Sequence, residues 1–300
     1  MKYFDLHCDT VGECSNNNFP LRENNLHIDL QRAKGIEEYT QVFAIWIPDE
    51  LRGNDAVKYF DKTADYFYNE IARNKDLISL YKDNKETPVK AILSVEGGSA
   101  CGGTLEGLYH LYERGVRLIT LTWNAENEIG SGAFSEGGLT PFGKEFIKEA
   151  EKLDIVLDVS HLNRKSFFEF AEIAEKPFVA SHSNADIVNN EYGKKRNLSK
   201  EQIQIIRERK GLIGLNLCCD FIEDEKASGI DSVCRQIDYF KKLECDDIIA
   251  FGFDFDGCTV NEKFNGIEKI PLLYSELKKI GYEESFLNKM FYENANKFFK

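Results

Sequence analysis

The sequence has no unbroken apolar stretch of about 18 residues, so it contains no candidate membrane-spanning helix. It has no basic excess either: 38 Lys and Arg stand against 51 Asp and Glu, a net charge of −13. Such a surface repels a phosphate backbone, which excludes nucleic acid as a partner class. No Gly-x-Gly-x-x-Gly turn follows the first apolar run at residues 3–7, and no phosphate loop occurs elsewhere, which argues against a nucleotide-binding fold. Eight cysteines are present, but none falls in a Cys-x-x-Cys pair, so neither a zinc ribbon nor a thioredoxin-type motif is written here. Cys218 and Cys219 are adjacent. No basic and apolar leader precedes the first motif at residues 5–10, and the expectation is a cytoplasmic protein with reduced thiols that serve mainly as small core residues.

At 300 residues with 42% apolar content, the chain is long enough for one large core or two ordinary ones. Short runs rich in Val, Ile, Leu and Phe recur, each followed by a longer segment with helical spacing and abundant Lys and Glu. Strands are predicted at 3–7, 41–47, 90–95, 117–122, 155–160, 178–181, 212–217 and 247–253. Helices are predicted at 55–73, 105–114, 140–153, 164–174, 200–209 and 232–243, with Thr140-Pro141 and Ser199 offering start signals. Eight strands with helical crossovers point to an α/β fold, a (β/α)8 barrel of the TIM type. Two further helices, 270–279 and 283–299, would follow the eighth strand and cover the barrel. With no composition break, low-complexity linker or internal repeat, residues 1–300 read as a single domain.

In a barrel of this kind chemistry gathers where strands end at the C-terminal mouth. The predicted strands stop at Asp5-Leu6-His7-Cys8-Asp9, Ser94-Val95-Glu96-Gly97-Gly98, Asp158-Val159-Ser160-His161, Ser181-His182-Ser183 and Phe253-Asp254-Phe255-Asp256. Three of the five histidines therefore sit at strand ends, while His27 and His110 fall in a loop and a helix. Singly, each such residue is more often a cap or a hydrogen-bonded side chain than a ligand. Jointly, a mixture of imidazole and carboxylate suits zinc or a similar divalent ion rather than calcium or magnesium. Five candidates exceed the three protein ligands of a mononuclear catalytic zinc, so two ions are expected, with Glu96 able to bridge them. His7 and Asp9, two apart on an extended segment, leave the same face and can grip one ion, while His161 and His182 hold the other. Between two such ions a bridging water becomes a hydroxide nucleophile, and Asp254 is the strand-end carboxylate left to carry a proton. Asp256, two residues further into the loop, is the weaker choice.

Taken together, these residues resemble the membrane (renal) dipeptidases, zinc peptidases of the amidohydrolase superfamily. The motifs appear in family order along nearly the whole chain: Asp-x-His-x-Asp at 5–9, Glu-Gly-Gly at 96–98, Ile119-Thr120-Leu121-Thr122, Asp-x-Ser-His at 158–161, Ser-His-Ser at 181–183, Arg196-Asn197 and Asp-Phe-Asp-Gly at 254–257. The resemblance implies a zinc-dependent dipeptidase with two Zn2+ ions, His7 and Asp9 on one, His161 and His182 on the other, Glu96 bridging and Asp254 as proton shuttle. It also implies that Arg196 pairs with the C-terminal carboxylate of a dipeptide, which a guanidinium fork reads bidentately. Spacing alone makes Arg196 a solvated charge in the run Lys194-Lys195-Arg196.

Two departures stand out. Trp123 replaces a His that commonly follows the Leu-Thr-Leu-Thr run, and Trp46 replaces a pocket Tyr beyond the second strand. They are the only two tryptophans. An indole donates one hydrogen bond and can neither accept one nor become cationic, so both bear on substrate choice unless they are ordinary core aromatics. A second reading therefore keeps the metals and changes the substrate to another small amide, ester or lactam; a third is a non-catalytic metal-binding protein. Divalent ions other than zinc fit the same ligands, and the family resemblance allows a homodimer.

Overall fold

The computed structural model describes residues 1–83, 85–225 and 228–300. Among them nine strands run in chain order: β1 (Lys2–Cys8), β2 (Glu38–Trp46), β3 (Ile78–Leu80), β4 (Val89–Glu96), β5 (Val116–Thr120), β6 (Val156–Asp158), β7 (Val179–Ala180), β8 (Leu212–Leu215) and β9 (Ile249–Phe251). Every pairing is parallel, and β1 lies between β2 and β9 while β2 also pairs with β4, which closes eight strands into a barrel. The (β/α)8 architecture expected from the alternating pattern is the one found. The ninth strand, β3, was not predicted. It pairs with Val89–Ala91 at the start of β4, below the point at which β5 joins that strand at Leu93.

The later strands are shorter than the apolar runs that announced them. The run at 155–160 keeps only Val156–Asp158 in the sheet, and that at 178–181 only Val179–Ala180. Their last residues peel away at the C-terminal mouth and spend their backbone groups in the loops that form the site. Helix starts follow the expected chemistry. Thr140 accepts from the Gly143 N–H with Pro141 just inside, and Ser199 forms a reciprocal capping box with Gln202.

Side chains alternate between the inside of the barrel and the surrounding helical shell. Phe4, Leu6, Val42, Ile92, Leu118, Val179, Leu212 and Ala250 fill the lower interior. Tyr3, Cys8, Phe43, Leu93 and Val95 face the helices instead. Tyr292 and Ala295 close the N-terminal end from below, with Phe298 and Phe299 against them. The predicted helix 283–299 is interrupted by a π-helical turn, Lys289–Glu293, between Glu284–Asn288 and Asn294–Phe299. Asn294 on its far side donates to the carbonyls of Asp246 and Ile249, pinning the helix under β9.

Strict alternation would send His7 to the outer face with Tyr3 and Asp5. Between the pairs Asp5–Gln41 and Cys8–Phe43 the register of β1 against β2 slips by one residue. This bulge turns His7 inward beside Leu6 and leaves Cys8 outside. Asp5, buried on the outer face, accepts from the backbone N–H of both His7 and Phe253 and from the Gln41 amide, which ties the bulge to both neighbouring strands.

Candidate metal centre

His7, Asp9, Glu96, His161, His182 and Asp254 meet at the C-terminal mouth, all of them buried. Glu96 stands at the centre, and its two oxygens face different partners. Oε1 lies 2.7 Å from His161 Nε2 and 3.4 Å from His182 Nε2, while Oε2 lies 3.6 Å from His7 Nε2. Asp9 Oδ2 is 3.3 Å from His7 Nε2, and Asp254 Oδ1 is 3.7 Å from it. Among the described residues three groupings could hold a cation: His7, Asp9 and Glu96; Glu96, His161 and His182; and His7, His182 and Asp254.

The hydrogen bonds behind these residues fix which ring nitrogen is free. His161 Nδ1 faces Asn124 Oδ1 at 3.0 Å, and an amide oxygen only accepts, so Nδ1 carries the proton. His182 Nδ1 lies 2.7 Å from Ser181 Oγ, which donates its single proton to Asp158 Oδ2 at 2.6 Å. The serine can then only accept from the ring, so His182 is also protonated at Nδ1. Both Nε2 atoms consequently present lone pairs, yet they stand 2.9 Å apart with Glu96 Oε1 beside them. Three electron-rich atoms crowded together suit a shared cation, and a divalent metal fits that donor set. Among the described residues buried Asp9 Oδ1 and His7 Nδ1 have no hydrogen-bond partner, which leaves further donor capacity unspent.

The electrostatics carry the same imprint. Burial opposes charge on His7, but Glu96 and Asp9 outweigh it and raise its pKa well above the usual imidazole range. Burial, reinforced by the charge of Glu96, pushes the Asp9 carboxyl up to about 8. Burial also acts against ionised Glu96, yet His7 and His161 hold it well below the ordinary carboxylate range. Burial and the neighbouring His7 push His182 well down, so it stays neutral. In the ion-free chain a proton on His7 therefore supplies part of the positive charge that the carboxylates demand.

Asp254 stands in the loop after β9, beyond Gly252 and Phe253, in a left-handed backbone conformation, φ 63°. Its Oδ2 accepts from buried Asn216 at 3.1 Å, which leaves Oδ1 toward His7. Asp256 lies further along the turn, where its carboxylate accepts from Thr10 Oγ1 and from the His27 backbone N–H at 2.7 Å, tying the loops together. Gly257 is needed where it stands. A Cβ there would come within 2.1 Å of Asp9 Oδ2 and 2.5 Å of Asp254 Oδ1.

A pocket of about 400 Å³ opens over the cluster, lined by Asp9, Glu96, His161 and Asp254 together with Trp46 and Trp123. The two indoles are half-buried and meet edge to face, ring centroids 5.0 Å apart, so they form a wall of the pocket rather than part of the core. Among the described residues the Trp46 ring N–H has no hydrogen-bond partner. Arg196 is not the solvated charge that its basic run suggests. It ends the helix Glu191–Arg196 and is buried to 3% exposure, donating to Ser183 Oγ and to the His182 carbonyl at 3.1 Å each. Its guanidinium lies 5.5 Å from the ring of Phe221, which lines the pocket. Among the described residues no carboxylate approaches it within 4.0 Å, and its Nε is unpaired.

The sequence reading missed the supporting set of Asn124, Asp158, Ser181 and Asn216. Asp158 and Ser181 lie in motifs that were recognised, but only the folded chain shows them backing His182. Asn124 carries no local signal beyond following an apolar run, and Asn216 falls inside the predicted strand 212–217, whereas β8 ends at Leu215.

Over residues 1–300 the chain matches the family described as Membrane dipeptidase (Peptidase family M19). It is 32% identical over 223 residues to a Klebsiella pneumoniae protein described as an uncharacterized protein in the pqqA 5′ region, covering 70% of this chain and 81% of that one. Its fold is similar to that of a metallo peptidase from Rhodobacter sphaeroides liganded with a phosphinate mimic of the dipeptide L-Ala-D-Ala, with a TM-score of 0.90, 24% identity and coverage of 99% and 98% of the two chains. The metallo peptidase dipeptidase AC, of family M19, is similar at a TM-score of 0.90 and 26% identity, covering 99% of this chain and 97% of its own. With the match extending over every residue of the barrel, the chain belongs to the membrane dipeptidase family, peptidase family M19.

Proposed function

We propose that this chain is a zinc-dependent dipeptidase, one catalytic domain over residues 1–300, that cleaves small dipeptides in the cytoplasm. The observation that carries the reading is the division of Glu96 between two sets of partners, His161 and His182 on one oxygen and His7 on the other. That division supports a two-ion site, with His7 and Asp9 holding one ion, His161 and His182 the other and Glu96 shared. Zinc suits the mixed nitrogen and oxygen donors, though other borderline divalent ions fit them too. When bound, the two ions supply an acidified water and polarise the scissile carbonyl.

The chain's own residues do the rest. Asn216 holds one oxygen of Asp254, and the other is free to take a proton from the attacking water and return it to the leaving amine. Arg196, a buried cation with no carboxylate of its own, pairs with the C-terminal carboxylate of the substrate and so rejects longer peptides. Trp46 and Trp123 shape the space for the substrate side chains. The dipeptide mimic carried by the Rhodobacter sphaeroides peptidase supports a dipeptide as the ligand class.

The specific feature favouring a second reading is the indole pair, which cannot accept a hydrogen bond or carry charge beside the carbonyl. It leaves room for a hydrolase of the same build acting on another small amide, ester or lactam. A panel of L,L and L,D dipeptides, incubated with zinc-loaded protein and with the Glu96→Ala variant, separates the readings. Release of amino acids that vanishes in the variant supports the dipeptidase; no release from a protein holding two zinc ions moves the proposal to the altered substrate. Unchanged function in Glu96→Ala would instead favour a non-catalytic metal-binding protein. In a dipeptidase Arg196→Leu should raise KM about 10- to 100-fold, the worth of a hydrogen-bonded ion pair, with kcat little changed.

A further inference from the structure

Two buried aspartates stand behind the candidate ligands and belong to none of the three groupings described above. Asp5 and Asp158 are both fully buried, and each accepts the backbone N–H two residues further along its own segment, from His7 and from Ser160, at 3.0 Å. Each also reaches the neighbouring strand. Asp5 accepts from the Phe253 N–H at 3.2 Å, and Asp158 accepts from the Ser181 N–H at 2.9 Å. These four backbone donors are His7 itself and the residues directly before Asp254, His161 and His182. One carboxylate thus braces the half of the centre with His7 and Asp254, and the other braces the half with His161 and His182.

The two carboxylates are loaded differently. Asp5 Oδ1 takes the His7 N–H and the Gln41 amide, while Oδ2 takes the Phe253 N–H and the Tyr3 hydroxyl, so one backbone donor falls on each oxygen. In Asp158 both backbone donors fall on Oδ1, together with the Ser160 hydroxyl. Its Oδ2 takes hydroxyls alone, from Thr120 at 2.5 Å and from Ser181 at 2.6 Å. A hydroxyl can rotate and accept instead, whereas a backbone N–H can only donate.

We infer that Asp5 and Asp158 are positioning residues that support the two halves of the centre separately, Asp5 holding His7 and Asp254 in place and Asp158 holding His161 and His182. The assignment of one ion to each half rests on the two-ion reading above; the hold on the side chains does not. Replacement by asparagine exposes the difference between the two. In Asp158→Asn the amide oxygen can keep both backbone bonds, and the amide nitrogen then donates to Ser181 Oγ. The serine proton, no longer spent on Oδ2, turns to His182 Nδ1 and moves the ring proton to Nε2, the atom that faces Glu96. In Asp5→Asn no orientation of the amide satisfies both backbone donors. Either His7 or Phe253 loses its acceptor, and the bulge or the Asp254 turn loosens while His182 keeps its proton on Nδ1.

The test measures zinc affinity of the full chain by competition with a chelating dye, on two backgrounds that each leave one half: His161→Ala, which retains His7 and Asp9, and His7→Ala, which retains His161 and His182. Asp5→Asn should weaken zinc about 10- to 100-fold in the first background and no more than about twofold in the second; Asp158→Asn should do the reverse. Should Asp5→Asn not fold, Tyr3→Phe keeps the carboxylate, removes one donor and should show the same preference with a smaller loss. Equal weakening in both backgrounds, as a general loss of stability would give, overturns the inference. Nitrogen-15 NMR of the ion-free chain reads the His182 ring proton directly. It should move to Nε2 in Asp158→Asn and stay on Nδ1 in Asp5→Asn; a proton that stays on Nδ1 in both also overturns the inference. A parent chain that takes up a single zinc ion removes the two-ion reading, and the ring proton then decides alone. Two zinc ions without dipeptide cleavage would remove the dipeptidase reading and leave the separate support of the two halves standing.

Discussion

Along β1, Phe4 and Leu6 point into an apolar plug while His7, the next residue, points into a cluster of ionisable groups. The two ends of the barrel are thus built on the same strands with opposite chemistry. At the N-terminal end the interior is carbon, with Phe4 stacked on Phe299 at 5.3 Å and edge to face with Tyr81 at 5.9 Å. At the C-terminal end buried carboxylates and imidazoles face one another beneath the indole wall of the pocket. The first end gains stability from burial, roughly 1.5–3 kcal/mol for a large side chain. The second carries desolvated charge, an arrangement that persists because the lower barrel and the helical shell hold it.

Substitutions at the two ends should therefore separate activity from stability. The largest effect is expected from Glu96→Ala, which removes the group facing both sets of partners. Loss of several kcal/mol of transition-state stabilisation corresponds to about 10³-fold or more in dipeptide turnover. Zinc content per chain should fall with it, as metal analysis of the purified variant would reveal, while the thermal midpoint of the ion-free protein should not drop. Phe4→Ala reverses the pattern. It should cost about 3–5 kcal/mol in urea unfolding, through lost burial and the cavity left behind, and leave zinc content per folded chain unchanged. A Phe4→Ala chain that stays as stable as the parent would break the division of labour between the two ends.

Smaller effects sharpen the comparison within the upper end. Ser181→Ala cuts the relay from Asp158 to His182 without touching a proposed ligand, and zinc affinity should fall about 10- to 100-fold by competition with a chelating dye. An affinity equal to the parent's would mean that the ring needs no fixed tautomer. The mildest effect is that of pH. The Asp9 carboxyl is pushed up to about 8, first by burial and then by Glu96, so below that pH the site holds a proton that an ion must displace. Zinc affinity should consequently rise with pH up to about 8, by about tenfold per unit for each proton displaced. Calorimetry in buffers of different ionisation enthalpy would reveal the released protons, from His7 as well as Asp9; their absence at pH 7 would place both residues outside the ion's shell.

Much of the upper end was legible in the letters. Strand-end histidines and carboxylates at Asp5–Asp9, Glu96, Asp158–His161, Ser181–His182 and Asp254 are local signals, and the structure gathers them at one mouth. The inward turn of His7 was not legible, because a bulge has no signature in an alternating run of apolar residues. Nor was the burial of Arg196: in sequence it closes a basic run, and only the packing of the helix Glu191–Arg196 against Ser183 and Phe221 removes it from water. The π-helical turn at Lys289–Glu293 was hidden for a similar reason, since it serves the fit of two helical pieces under β9 and β1 rather than any propensity of its own.

What the sequence determined by itself is what local order encodes: the period that alternates strand with helix, the caps at Thr140 and Ser199, and the residue types at each strand end. Tertiary structure decided which of those residues face one another. Glu96 divides its two oxygens only because β4 stands between β2 and β5 in a closed barrel, which brings histidines from β1 and from the loops after β6 and β7 to opposite sides of it. The tautomers of His161 and His182 depend on Asn124 and Ser181 in the same way. Such contacts join residues far apart in the chain, and their geometry exists only once the barrel has closed.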